Sequence, residues 1–486
     1  MIKLFRNRNI ANTFWNISDT FLYPILFFGS TSFFIHKLGA AQFGIWMLIN
    51  TIVVSMQLFN FGVGSGVFRN IAYHTAQHNT AGKTQVMSNA ISVTAVLFAI
   101  SLVLAGIGAY LVYNHDLLHV EPAFRSLCMK GILLAGFIVG FKFFEQVFTS
   151  YFKAVEKFNK AMIISSGNKL TALLLNIFML FFFQLNILSL LLIIVIVNTV
   201  FLIVALLLLY KDFPQFKFAF DLKLPKQDAG FALFTWLQSL AIILTFQSDR
   251  YLIVNYFGLA VLSYYALIAT IFNHLHMGFS AVLPWLAPKL TKLYARNADS
   301  RELFLAARDL IAICSMVFLF VLFLLYPFAF NIILGKQTAM QVNEYTRYFI
   351  VFELFFALNI VPNYYFNAVG HERKYFYFIL FFAITSLLCM AGALMIFHEP
   401  LAVLYGLIVS CIICILVQNI LLNKIINGKA DVIKALSTLL PPLLIAFFII
   451  SDNNYAHWIA FGLSIPALYF IYLKGNLNKF KLLFWS

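Results

Sequence analysis

The sequence predicts an all-α integral membrane protein of about fourteen transmembrane helices: two six-helix bundles related by a parallel pseudo-twofold repeat, plus two C-terminal helices. Three observations carry that prediction. Apolar residues make up 62% of the 486 and charged residues only 10%, against about 25% charge in a soluble domain. Basic residues gather at alternate connections. Two stretches of the first half recur in the second.

Hydropathy sets the spans. Leu170–Tyr210 contains no charged residue. It is about twice the roughly 20 residues one spanning helix needs, so it must be a helical hairpin. Its turn falls near Gln184-Leu185-Asn186. Tyr251–Pro288 is charge-free in the same way. Runs such as LLLIIVIV lack the alternation of a membrane barrel strand, which rejects that architecture. The spans are read at 12–35, 42–67, 86–113, 127–152, 162–184, 187–210, 229–256, 260–286, 305–330, 346–368, 376–397, 401–422, 437–451 and 455–472. The last two are short and interrupted by Pro441-Pro442 and Pro466. The start, MIKLFRNR before an apolar run, resembles a signal peptide. No small-residue cleavage site comes after it, so it reads as a retained first helix.

Charge sets the orientation. With both termini inside, 24 of the 33 basic residues fall in inner segments, and only Lys37, Arg125 and Lys336 fall in outer loops. That is the positive-inside pattern at nearly every connection. The net charge of +15 is therefore explained by topology and contact with anionic membrane lipids, and nucleic acid is not an expected partner. The outer loops, near 114–126 and 331–345, are too short to fold as domains. Segment 211–228, alternating Phe and Lys, suits an interfacial stretch on the inner leaflet. All five cysteines lie in or at the end of apolar segments, so no disulfide framework is implied; Cys411 and Cys414 read as helix packing.

The repeat sets the domains. LGAAQFGIWMLINTI (38–52) matches FGLAVLSYYALIATI (257–271) at six of fifteen positions, and YFKAV (151–155) matches YFNAV (365–369) at four of five. Each offset spans six helices, an even number that preserves orientation. The expected parts are an N-terminal lobe over 1–212, a cytoplasmic linker over 213–228, a C-terminal lobe over 229–424, and two added helices with a cytoplasmic tail over 425–486. Two facing bundles suit alternating access.

Several pieces together resemble the polysaccharide transporter family of the O-antigen flippase type, within the multidrug/oligosaccharidyl-lipid/polysaccharide (MOP) exporter superfamily. They are Gly39-Ala40-Ala41-Gln42-Phe43-Gly44-Ile45-Trp46, Phe61-Gly62-Val63-Gly64, Asp249-Arg250-Tyr251-Leu252-Ile253 with Gly258 and Tyr264, and Asn367-Ala368-Val369-Gly370 with Arg373-Lys374. The resemblance covers roughly residues 10–425. It implies a multi-pass protein of the bacterial inner membrane that flips a lipid-linked oligosaccharide, carried on undecaprenyl diphosphate, to the outer leaflet. It also suggests the polysaccharide polymerase machinery as a partner. No cofactor or metal is expected; a proton or Na⁺ is the candidate coupling ion.

A diphosphate head group bears two or more negative charges, and cationic side chains would offset its desolvation. The candidates are Arg250, Lys142 and Lys169, with Arg347 near the outer end of its span. An ionisable residue at membrane depth costs about 2.5–3.5 kcal/mol on insertion scales and marks a functional site by default. Each cation has an alternative: Arg250 in an internal pair or snorkelling, Lys142 in an ion pair with Glu145 three residues on, Lys169 snorkelling to the inner surface. The coupling or intramembrane acid candidates are Asp19, Asp249 and Glu353, with helix–helix hydrogen bonding as their alternative, together with Glu145. Asp19 has no cation within a turn on its own helix and is the leading one. His274 and His276, like His115 and His119, read as interfacial filler. Gly62, Gly64 and Gly66 suit close helix approach or bending.

Two other functions remain open. A drug/cation antiporter of the same fold would favour an acidic cavity, and both signs occur here. A membrane-embedded polysaccharide polymerase or glycosyltransferase would want a sizeable outer loop, where only His115, Asp116, His119 and Glu121 cluster.

Overall fold

The computed structural model describes residues 8–60, 62–115, 120–220, 229–281, 300–368, 371–427, 430–451 and 454–473, with a few isolated positions between; side chains are described from Leu22 in the first helix and from Trp236 in the ninth. Every regular element among them is helical. Among the described residues, ten helices are long and apolar enough to cross a membrane. The chain is a multi-pass membrane protein.

The elements in order are α1 (Arg8–Leu38), α2 (Ala40–Met56), α3 (Val63–Ala76), α4 (Thr80–Asn114), α5 (Pro122–Ala154), α6 (Phe158–Met162), α7 (Asn168–Phe182) and α8 (Ile187–Asp212). Next come α9 (Ala229–Ala281), α10 (Arg301–Ile333), α11 (Lys336–Phe356), α12 (Ile360–Ala368), α13 (Glu372–Phe397), α14 (Leu401–Asn427), α15 (Val432–Ser437), α16 (Leu440–Ile450) and α17 (Asn454–Leu468).

The outward faces are what a hydrocarbon solvent requires. On α8, Leu192, Ile196, Val200, Ile203 and Leu207 are all about half exposed or more. They recur every three or four residues, one continuous stripe of a 3.6-residue helix. A contiguous apolar stripe is an interaction surface, and here acyl chains satisfy it. Val96, Ile100, Val103 and Ile107 do the same on α4.

Two glycines turn the chain where the repeat predicts a shared break. Gly39 separates α1 from α2 with φ 80°, and Gly258, 219 residues later, bends α9 with φ 80°. Such angles cost an L side chain strain, which glycine avoids. The 53 residues of α9 are thus two helices meeting at Gly258.

Contacts divide the chain into two units. Unit 1 is Met1–Ile243 with Arg250–Tyr264; unit 2 is Leu244–Asp249 with Tyr265–Ser486. Within unit 1, α4 packs along α5: Gly136 sits so close to Ala105 that a Cβ there would come within 2.7 Å of it, and Ser101 Oγ donates to the Gly136 carbonyl at 3.0 Å. Val67, Met87, Phe148, Tyr151, Phe152 and Leu209 form a buried core. In unit 2, α13 packs along α14, where a Cβ on Gly406 would meet Met390 backbone at 2.5 Å. Phe304, Ile360, Val361, Tyr365 and Phe366 fill a core there. The Tyr-Phe of both YF repeats is buried.

Three expectations change. The span read at 42–67 is broken: Gln57–Asn60 is a 3₁₀ turn, and Gly62 takes the left-handed conformation with its N–H on Asn60 Oδ1 at 2.9 Å. The loop read at 331–345 is helical except at Leu334 and Gly335, because α11 carries its polar first turns, from Lys336, beyond its apolar part. Pro441 and Pro442 open α16 rather than interrupt it; the first turn has no intrahelical use for their missing N–H groups. Of the inner linker, 213–220 runs as non-helical chain with the Ala219 N–H on Ser88 Oγ at 3.2 Å, and 221–228 lies outside the described residues.

Candidate functional site

Each unit holds an ionisable cluster within its spanning helices, half-buried in unit 1 and fully buried in unit 2. In unit 1 it begins with Lys142 and Glu145, three apart on α5 and so on one face. Lys142 Nζ meets Glu145 Oε2 at 2.5 Å, with the two side chains 20% and 12% exposed. The same Oε2 accepts from Asn168 Nδ2 at 3.0 Å. Asn168 Nδ2 also reaches Asn198 Oδ1 at 2.9 Å, and Asn198 Nδ2 returns to the Ile194 carbonyl of α8 at 2.6 Å. Three helices therefore converge on one carboxylate.

The position of Asn168 has a local cause. It is the first residue of α7, directly after a π-helical turn, Ile163–Gly167. A π-turn adds a residue to the helical ladder and re-aims the side chains C-terminal to it; such turns recur at functional sites. Phe141, Phe148, Phe201 and Leu202 line the small pocket around Glu145, Asn168 and Asn198. Apolar walls lower the local dielectric and strengthen each of these contacts. Lys169, next on α7, is half-buried. Asn176, farther along α7, is fully buried and neither amide atom finds a partner among the described residues.

At the basic end of unit 1 a second group ties helices together. Asp212, last in α8, accepts from Lys157, from Lys160 at 2.7 Å and from the Tyr151 hydroxyl at 3.3 Å. These contacts fasten the α5–α6 connection to α8. Nearby, Asn60 Nδ2 donates to Gln146 Oε1 at 3.0 Å, and Gln146 fills the space a Cβ on Gly64 would need.

In unit 2 the central acid is Glu353 on α11, 1% exposed. Its Oε1 lies 2.8 Å from His276 Nδ1. The imidazole stacks on Phe356 at 4.1 Å between ring centres, and Phe356 stacks in turn on Phe352. Cys411 of α14, fully buried, lies within electrostatic reach of Glu353. Just beyond, α11 tightens into a 3₁₀ turn at Ala357–Asn359.

The other sequence candidates divide. Asp249, 4% exposed, accepts from the Tyr265 hydroxyl at 2.8 Å within unit 2. Arg250, 5% exposed, belongs to unit 1, as does Tyr251, whose hydroxyl donates to Ser55 Oγ at 3.1 Å. Arg347 donates from Nε to the Ile449 carbonyl at 2.5 Å and from Nη2 to Ile450 at 2.8 Å. It caps the C-terminal carbonyls of α16, a contact that favours a cation. The backbone of Asp19 lies on α1, which packs against α6 and α7; its side chain lies outside the described residues.

Sequence reasoning does not single out Asn168, Asn198 or His276 as site residues. Asn198 carries a readable signal, an amide alone between apolar runs in ILSLLLIIVIVNTVFLIV. His276 carries none, since its partner lies 77 residues away. Among the described residues, no three His, Cys, Asp or Glu side chains group as a metal site.

Comparison with known proteins agrees with this architecture. The family model described as "Polysaccharide biosynthesis protein" matches residues 10–293. No curated protein matches the chain. Among solved structures, an inward-facing MATE-family multidrug resistance transporter of the MOP superfamily superposes with TM-score 0.67 at 12% identity, over 86% of this chain and 100% of that one. The lipid II flippase MurJ, in an inward closed conformation, gives TM-score 0.66 at 14% identity, over 94% and 97%. At these identities the likeness shows the fold, which is that of MOP-superfamily transporters.

Proposed function

The chain belongs to the polysaccharide biosynthesis protein family, and from that premise we propose that it flips a lipid-linked oligosaccharide across the bacterial inner membrane by alternating access. The expected carrier is undecaprenyl diphosphate, and a polysaccharide polymerase would take up the flipped unit. The observation that carries this reading is the cationic charge held at membrane depth in unit 1, Arg250 at 5% exposure and Lys142 beside Glu145. Burial of such charge is expensive and is kept where a ligand or partner repays it. A guanidinium offers a bidentate fork to a phosphate oxygen pair, and a lysine a compact point charge. Lys169 lies one residue from Asn168 and adds a third cation to the same unit. Arg347 is left as a helix cap.

Coupling falls to unit 2. A buried carboxylate in contact with an imidazole brings together two groups that can each hold a proton, an arrangement proton relays within membranes use. Glu353 with His276 is the proposed coupling pair. Asp249, held by Tyr265, and Asp19 on α1 are further acids that a proton or Na⁺ could use.

A second reading is a drug/cation antiporter, favoured by the buried Glu353 and by the fold of the MATE transporter. Liposomes holding the purified protein and a fluorescent undecaprenyl-diphosphate oligosaccharide separate the two. Flipping by the parent, lost in Arg250→Ala while the protein stays folded, supports the first reading. Efflux of a cationic dye without flipping overturns it. Turnover of a sugar-nucleotide donor would instead make the protein an enzyme.

A further inference from the structure

Unit 2 contains a polar crevice that shares no residue with the Glu353 cluster. It lies between α10, α14 and α15, at the basic end marked by Arg301, Lys424 and Lys434. Arg308 and Lys434 bring two cations to it, and Asn419 and Asn423 of α14 bring two amides. Phe304, Leu305 and Leu422 make its apolar floor. Arg308 is seven residues into α10, about 10 Å from the helix start, the depth at which a long cation reaches the membrane–water interface.

The crevice is built rather than incidental. Asp309, 1% exposed, takes both Arg308 Nε at 2.8 Å and Nη2 at 2.6 Å on a single oxygen. That pair fixes the guanidinium plane and leaves its remaining N–H groups for the crevice. Lys434 is placed by its own backbone: Asp431, the N-cap of α15, accepts its N–H at 2.9 Å. Its ammonium makes no ion pair among the described residues. Asn419 Nδ2 donates to Thr438 Oγ1 at 3.0 Å, and Asn423 Nδ2 to the Asp431 carbonyl at 3.2 Å. Both bonds hold α15 against α14.

The opposite face of α15 says what kind of molecule comes here. Val432, Ile433 and Leu436 are 51%, 81% and 51% exposed, while Ala435 is fully buried. A short helix with bare aliphatic residues on one side and a lysine on the other suits the boundary between head groups and acyl chains. Charge gives the head group. The Arg308–Asp309 pair is neutral as a whole, so Lys434 supplies one net positive charge, the complement of a phosphodiester.

We propose that this crevice binds the phosphate of an anionic membrane phospholipid, whose acyl chains lie along the exposed face of α15. Lys434 supplies the charge and Arg308 the directed N–H donors. Basic pockets between spanning helices take anionic head groups by this chemistry. The lipid would pin α15, and with it the C-terminal pair α16 and α17, to unit 2. The site is independent of the transported substrate.

The test is native mass spectrometry of the full chain released from bilayers of equal parts phosphatidylcholine and phosphatidylglycerol. The parent should retain phosphatidylglycerol in preference. Lys434→Gln should lower that preference about fivefold, the worth of one cation near a charged membrane surface. Arg308→Lys keeps the charge but loses the fork, and should lower it as well. Lys336→Gln, in the first turn of α11, should leave it unchanged. Lys434→Gln melting like the parent in phosphatidylcholine alone would show that its fold is intact. Equal retention of the two lipids by the parent, or parent-like preference in Lys434→Gln, overturns the proposal. So does inorganic phosphate stabilising the parent as much as phosphatidylglycerol does, which would make the crevice a site for free phosphate.

Discussion

Glu145 and Glu353 are both carboxylates within spanning helices, the first half-buried and the second fully buried, and their partners differ. Glu145 is held by a lysine and an amide, and the amide is held by a second one on α8. Glu353 is held by one imidazole stacked on an aromatic ring. A lysine ammonium only donates, so the unit 1 cluster is an array of donors with fixed roles around one acceptor. An imidazole nitrogen can donate or accept, so the unit 2 pair can carry a shared proton on either partner. On the proposed function, that difference gives ligand attraction to unit 1 and coupling to unit 2.

The largest effects should come from substitutions that break the frame of unit 1. A Cβ on Gly44 would stand 1.9 Å from the Leu259 carbonyl oxygen, a backbone atom that cannot rotate away. Gly44→Ala should therefore cost about 2 kcal/mol or more, within the range for overpacking, and should abolish folded protein in detergent by size-exclusion chromatography. Gly66→Ala, with open space around it, should elute like the parent. If both behave alike, the close approach of α2 to Leu259 is not what holds unit 1.

Next in size, Lys142→Ala should leave Glu145 with an amide alone. Breaking a fully buried pair costs about 3–5 kcal/mol. This pair is partly exposed, so about 1–2 kcal/mol is expected, read as a lowered melting temperature. Lys142→Met combined with Glu145→Met should recover most of it, because no charge is then stranded. A double variant no better than the single one would argue against a paired role.

His276→Asn should be mild for folding and marked for pH dependence. The parent's flipping rate should depend on pH, and the variant's profile should be flatter. An unchanged profile would place coupling elsewhere, with Asp249 or Asp19 next. The smallest effect should come from Arg347→Ala. Loss of one helix-terminal cap costs about 1 kcal/mol. It should loosen α16, seen as faster proteolysis after Ile450, with flipping retained. Loss of flipping in a folded Arg347→Ala would return that residue to substrate binding.

Much of the fold was legible because membrane-spanning helices obey hydropathy and charge rules that are local in sequence. The hairpin at Gln184–Asn186 and the corner at Gly258 come from run length and glycine placement alone. The repeat at an offset of 219 was also local, and Gly39 and Gly258 share its backbone signature. What escaped was backbone detail set by single contacts. The break at Gln57–Gly62 depends on Asn60 meeting Gln146, 86 residues away. The site was legible only in half. Lys142 and Glu145 are three residues apart, so helix geometry dictates their pairing. Glu353 was visible as an acid in an apolar run, but His276 was not visible as its partner, because apolar helices carry no pattern that fixes which faces meet. Arg347 looked like a cavity cation because its acceptors are backbone carbonyls, which no sequence displays.

The most direct measurement is gradient-driven flipping of the labelled lipid-linked oligosaccharide in liposomes, comparing the parent with Glu353→Gln under an imposed pH gradient. Glutamine keeps the shape and the hydrogen bond to His276 but cannot ionise. The account predicts that a gradient of one pH unit raises the parent's ratio of flipped to unflipped lipid about tenfold, one pH unit being worth about 1.4 kcal/mol per coupled proton, and that Glu353→Gln reaches the same ratio with or without it. A parent indifferent to the gradient, or a Glu353→Gln variant that still responds in full, would contradict it.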